Sequence, residues 1–164
     1  MKRMVWIGCL LALTVVISKA EHDFGAGIHY WKVIDDIDVR DVDDSGFSYF
    51  VNYRRSLGTL LRIEVGLERL PDRFGESAYA PQGYLVLGRS IYAAAGVGGI
   101  YTDGSFADDP FYAIKAGVAL PLPFWLKLDL AAQYRFNDFA DLKDEDRKIA
   151  TDTVFLGAAL RLVL

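Results

Sequence analysis

Residues 126–136 read LKLDLAAQYRF. One parity carries Leu126, Leu128, Leu130, Ala132, Tyr134 and Phe136, and the other carries Lys127, Asp129, Ala131, Gln133 and Arg135. Strand side chains point alternately to opposite faces, whereas helical ones return to a face every 3.6 residues. An alternation this long therefore specifies a strand with two unlike faces. The period recurs on either side. In 59–69, Leu61, Ile63, Val65 and Leu67 interleave with Arg62, Glu64, Gly66 and Glu68. In 47–54, Phe47, Tyr49, Val51 and Tyr53 stand against Ser48, Phe50, Asn52 and Arg54, and in 153–164 the even positions from Val154 to Leu164 are all apolar.

Four further segments, 24–33, 80–88, 91–101 and 112–120, show the pattern with weaker contrast; in 80–88 the run Leu85, Val86, Leu87 leaves the parity open. The set makes eight segments, and none has a helical period. The expectation is an all-β fold, an eight-stranded antiparallel up-and-down transmembrane β-barrel. Strands of about 10 residues cross a bilayer when tilted, and an even antiparallel count closes without a free edge.

The composition agrees. A chain of 164 residues corresponds to one domain, and 52% hydrophobic residues with a mean hydropathy of +0.19 exclude a disordered chain. No uncharged apolar run reaches about 18 residues, which excludes a helical membrane protein but not a barrel. Lys2 and Arg3 precede a predominantly apolar stretch, MVWIGCLLALTVVIS at 4–18, with small residues at Ser18 and Ala20. This is the pattern of a secretory signal peptide spanning 1–20, with the barrel in 21–164. The single cysteine, Cys9, falls inside that leader. Without Lys2, Arg3 and Lys19 the 18 basic residues become 15 against 22 acidic ones, a balance of −7, and no nucleic-acid partner is expected.

Alternation alone does not say which face is outside. Three features decide against a soluble, lipocalin-like barrel. Glycines share a parity with the charges: Gly66 with Glu64, Gly117 with Lys115, Gly157 with Arg161, and Gly25 and Gly27 with His29. An eight-stranded barrel is just wide enough for side chains to fill, so long polar residues need small neighbours inside. Aromatics gather near strand ends (Tyr30, Trp31, Tyr53, Phe111, Tyr112, Phe124, Trp125, Tyr134, Phe136), where membrane girdles are expected. Connections alternate between long (35–46, 70–79, 102–110, 137–152) and short (55–58, 89–90, 121–124). Such sorting places the long loops outside the cell and the short turns in the periplasm.

On these segments the chain resembles the eight-stranded outer-membrane barrels of Gram-negative bacteria, of the OmpA transmembrane-domain, OmpX and opacity-protein type. The resemblance covers residues 21–164 and rests on pattern. It implies residence in the outer membrane, contact with outer-membrane lipid and lipopolysaccharide, handling by the barrel-assembly machinery, and a monomer. Barrels of this type usually end on an aromatic residue read by that machinery; Leu164 stands at the corresponding parity.

With the parity set, Arg54, Arg62, Glu64, Glu68, Lys115, Lys127, Asp129, Arg135 and Arg161 are expected to point inward as a polar network. Buried charges persist only when paired, so a salt-bridged and mostly closed lumen follows. The expected role is surface structure or interaction through long extracellular loops. A narrow channel or ligand-permeation barrel is the alternative, with a lipid A-modifying enzyme behind it. For that chemistry the available residues are His22, His29 and Ser48, with no oriented acid evident, so no catalytic set and no cofactor is assigned. The loop DDIDVRDVDDSG at 35–46 contains Asp41-x-Asp43-x-Ser45-Gly46, the opening of a calcium loop. The glutamate expected at the twelfth position is replaced by Asn52, so a solvated turn is the expectation and no metal is assigned.

Overall fold

Each apolar-polar alternation becomes one strand. The computed structural model describes residues 21–34, 45–71, 77–102, 104–136, 139–141, 148–150 and 152–164. The barrel strands are β1 (His22–Val33), β2 (Ser45–Ser56), β3 (Leu61–Leu70), β4 (Ala78–Gly88), β5 (Ile91–Gly98), β6 (Phe111–Pro121), β7 (Leu126–Phe136) and β8 (Thr153–Val163). Each pairs antiparallel with the next. β1 closes the cylinder on β8, in a register running from Asp23 opposite Val163 to Val33 opposite Thr153. Closure leaves no unpaired edge among the eight, which is the condition for a sheet to sit in hydrocarbon.

The short turns 57–60, 89–90 and 122–125 share one end with Glu21 and Leu164, where the His22 N–H donates to the Leu164 carbonyl at 3.3 Å. The long connections share the opposite, loop end. Two of them carry regular structure that the alternation does not announce. The fifth segment ends as a barrel strand at Gly98; beyond Gly99 and Ile100, Tyr101–Thr102 turns to face Tyr79 and forms a hairpin with Ser105–Phe106. In the last connection Phe139–Asp141 pairs with Lys148–Ala150. The parity left open in 80–88 is settled by register: Tyr84 and Val86 point inward and Leu85 and Leu87 outward.

The outer surface is apolar. Phe24, Ile28, Val51, Val65, Leu85, Ile114, Leu156 and Leu160 are each about half exposed, and the outward positions of β7 are Leu126, Leu128, Leu130, Ala132 and Tyr134. Lys32 and Arg69 end this band toward the loops and Arg55 ends it toward the turns. A continuous greasy belt of this extent has no place in water, whereas it matches the apolar band of about 25 Å on membrane barrels. The polar side chains lie within. Some aromatics expected in a girdle are inside instead: Trp31 and Phe111 are each 1% exposed, because they share the parity of His29 and Lys115 and alternation outweighs closeness to a strand end.

Candidate functional site

The interior is stacked in three tiers. Nearest the turn end, Lys127 Nζ lies 3.2 Å from Glu21 and 3.9 Å from Asp23, and Arg89 lies 3.6 Å from Glu21. Glu21, Arg62, Arg89, Ser90 and Lys127 line an open vestibule of about 290 Å³. Arg62 is buried, and among the described residues its side-chain hydrogen bonds go to backbone: its Nη2 donates to the carbonyls of Gly88 and Arg89 at 2.7 and 3.1 Å, fastening the β4–β5 turn. Arg62 and Lys127 therefore stand at the rim, apart from the central network in which parity alone had grouped them.

The middle tier holds the remaining charges. Arg54 and Glu64 sit opposite each other on β2 and β3, and Arg54 donates from Nε and Nη2 to Glu64 Oε2 at 2.8 and 2.5 Å. Glu64 also accepts from Lys115 on β6 and, at 3.1 Å, from Arg161 on β8. Asp129 on β7 accepts from Arg161 Nε, from Arg54 at 3.3 Å and from the Tyr92 hydroxyl at 2.7 Å. Two carboxylates and three cations thus tie facing walls of the barrel together. Arg54 further lies 4.7 Å from the Tyr92 ring centroid and Lys115 Nζ 4.1 Å from that of Tyr84, which gives each cation an electron-rich face.

Higher in the same tier, Glu68 is fully buried and gathers four partners. His29 Nδ1 is at 2.8 Å, Gln82 Nε2 donates at 3.4 Å, and Ser48 Oγ and Arg135 Nη2 donate as well. The Gln82 Oε1 accepts from Tyr84 at 2.7 Å and from Arg135 at 3.0 Å. The acid missing from the sequence reading of His29 and Ser48 is therefore Glu68. Its geometry is not that of a catalytic relay, in which the nucleophile bonds the base. Here Ser48 and His29 bond the same carboxylate oxygen, and the Nε2 side of the ring lies over Gly157 on β8. A third tier of Trp31, Val33, Leu70, Ala78, Ile100, Phe111 and Phe155 covers these groups toward the loops with an apolar cap.

The glycines on the charged parity are explained by these contacts. A Cβ on Gly157 would run into the His29 ring, one on Gly25 would meet Asn52 and Arg161, and one on Gly117 would meet the Tyr92 hydroxyl. A cavity beside the network, lined by His29, Glu64, Lys115 and Asp129 among others, holds about 20 Å³, room for roughly one water molecule. Members that the charge pattern missed are Tyr84, Tyr92, Gln82 and Gln133, all on inward positions; their polar ends are legible only once strand register brings them to the carboxylates.

Within the acidic segment read against a calcium loop, Asp41 and Asp43 lie outside the described residues, as does the leader 1–20. Ser45 and Gly46 begin β2. Gly46 faces Trp31, and a Cβ there would approach the indole to 2.8 Å, so its lack of a side chain makes room for Trp31.

The architecture matches known barrels. Neisserial surface protein A superposes with a TM-score of 0.59 at 14% identity, over 87% of this chain and 96% of that one. The fold is that of the eight-stranded outer-membrane barrels. The N-terminal barrel domain of Pseudomonas aeruginosa OprF gives a TM-score of 0.50 at 9% identity, covering 88% of this chain and all of that domain, 100%. No protein-family profile matches the chain, and no curated protein matches it in sequence.

Proposed function

We propose that this protein is a sealed outer-membrane barrel of a Gram-negative bacterium, serving surface structure or interaction through its long loops. In this reading the belt meets outer-membrane lipid and lipopolysaccharide, the turn end faces the periplasm, and the barrel-assembly machinery inserts it as a monomer. The observation that carries the reading is the filled lumen. Arg54, Glu64, Lys115, Asp129 and Arg161 span the bore, the Glu68 cluster and apolar cap lie above, and the cavity beside the network holds only about 20 Å³. A hydrated ion has no continuous path through charges committed to one another. The likeness to a protein titled a surface protein agrees with a surface role.

Planar-bilayer recording of refolded protein tests the proposal. Little steady current is expected at any voltage that the bilayer withstands. Reproducible conductance steps would replace the sealed barrel with the narrow-channel reading.

A further inference from the structure

The vestibule at the turn end gathers more positive charge than its own acids neutralise. Three cations reach it from three parts of the fold: Arg62 from β3, Arg89 from the β4–β5 turn and Lys127 from β7. One carboxylate, that of Glu21, lines it with them, and the buried Asp23 lies 3.9 Å from Lys127. Among the described residues this sets three positive groups against two negative ones. Ser90 adds a hydroxyl to the wall, and Ala119 and Pro121 complete it.

Two of the cations already share an oxyanion. Glu21 Oε1 lies 3.2 Å from Lys127 Nζ, and its Oε2 lies 3.6 Å from Arg89 Nη2, so a group with one oxygen for each fits between them. All three of these side chains are partly exposed, and pairs of that kind are weak, so an incoming anion displaces Glu21 at little cost. Arg62 is held differently. It is 7% exposed, its Nη2 bonds go to the neutral carbonyls of Gly88 and Arg89, and its Nε has no hydrogen-bond partner among the described residues. Those bonds fix the turn that carries Arg89 and Ser90, and the Ser90 carbonyl is fixed in turn by the Ala119 N–H at 2.7 Å. The groups around the vestibule are therefore set in place by the fold, with the buried charge of Arg62 beside them.

We propose that the vestibule is a binding site for a phosphate group, taken by Lys127, Arg89 and the Ser90 hydroxyl in the field of Arg62. A lone carboxylate leaves this set under-neutralised, whereas a phosphate brings up to two charges and oxygens in several directions, which guanidinium groups match well. A volume of about 290 Å³ stands at the lower edge of small-molecule sites and suits a small phosphorylated compound or the phosphate end of a larger one. Glu21 is the resident competitor that the phosphate displaces. The group comes from a soluble compound or from a phospholipid headgroup at the rim. The site lies outside the filled part of the bore and holds whether or not the lumen conducts; only its exposure to the periplasm rests on the membrane-barrel reading.

Isothermal titration of inorganic phosphate into refolded protein, in uncharged maltoside micelles at low ionic strength, tests the site. A saturable heat at one phosphate per chain is expected. K127Q and R89Q, at partly exposed positions outside the central network, are each expected to weaken binding about tenfold or more. E21Q removes the competitor and is expected to tighten binding several-fold. D108N makes the same change of net charge on an exposed residue at the loop end and is expected to leave the affinity as it was. The absence of a saturable heat, wild-type affinity in K127Q and R89Q, or equal gains from E21Q and D108N overturns the proposal, as does acetate binding as tightly as phosphate. The source of the group is read in phosphatidylcholine nanodiscs, where both ends of the barrel meet the buffer. Binding that persists there assigns the site to a soluble phosphate compound, and binding seen in micelles but abolished there assigns it to the headgroup. Failure of the protein to enter nanodiscs counts against the membrane-barrel reading and leaves the micelle result to decide the site.

Discussion

The guanidinium carbon of Arg135 lies 4.1 Å from the ring centroid of Phe155 and 4.5 Å from that of Phe111. The same guanidinium donates to Glu68 below. Arg135 is thus where the ionic tier ends and the apolar cap begins, bonding a buried carboxylate and lying over two rings. A planar, delocalised cation suits both tasks, since its in-plane N–H groups and its flat surface are separate.

Arg135→Ala is expected to cost about 3–5 kcal/mol, because it leaves Glu68 buried beside His29, Ser48 and Gln82 without a permanent cation. Arg135→Lys keeps the charge and loses the stacking, and should fall between the two. Urea titration of the refolded proteins in micelles measures both. A loss in the alanine variant below about 1 kcal/mol, the scale of an exposed pair, would mean that the site is hydrated.

Asp129 and Arg62 separate network from rim. Asp129→Ala strips partners from Arg54, Arg161 and Tyr92 at once, and the expected cost is again about 3–5 kcal/mol. Arg62→Ala removes two bonds to backbone carbonyls beside an open vestibule, for an expected loss of about 1–3 kcal/mol. The ordering Asp129 above Arg62, read from thermal midpoints, is the checkable outcome; equal losses would place Arg62 among the paired charges.

Gly157 is a packing requirement of a different kind. Its backbone lies against His29, and the ring in turn stacks on Phe50 with centroids 4.1 Å apart, so the ring has no room to retreat. Gly157→Ala should destabilise by about 1–3 kcal/mol through overpacking. Gly104, with φ of 81° but nothing near its Cβ position, offers a contrast. Its alanine variant should lose only the cost of the backbone conformation, and heat-modifiable gel mobility would order the two.

Nearly all of the barrel was legible because alternation with a period of 2 writes both faces of each strand into the sequence. The extent of β7 and the inward parity of Arg54, Glu64, Glu68 and Asp129 follow from it directly. What alternation does not carry is height along the bore and identity across it. Parity treats Arg62 and Arg54 alike, yet 8 positions and one turn separate a residue at the rim from one in the centre. Glu68 as the partner of His29 was hidden for the same reason, since 39 positions lie between them and only strand register brings them together. Trp31 and Phe111 misled because an aromatic near a strand end serves a girdle or a cap according to a parity that outweighs position.

Ser48, His29 and Glu68 contain the residue types of a hydrolase, and the lipid A-modifying alternative stands or falls on them. A serine nucleophile needs a base that takes its proton. Ser48 donates to Glu68, and His29 meets that carboxylate through Nδ1 while its other nitrogen lies over Gly157. Ser48 and Glu68 are 0% exposed and His29 4%, beneath Trp31 and Phe155, so an acyl ester has no approach to the hydroxyl. Mass spectrometry of lipid A from cells producing wild type, Ser48→Ala or His29→Ala is therefore expected to give one acyl pattern for all three. Ser48→Ala should instead appear in the denaturation midpoint, with a loss of about 1 kcal/mol for one hydrogen bond to a buried carboxylate that keeps its other partners. An acyl change present with wild type and abolished by Ser48→Ala would reverse the assignment and require the cap to open.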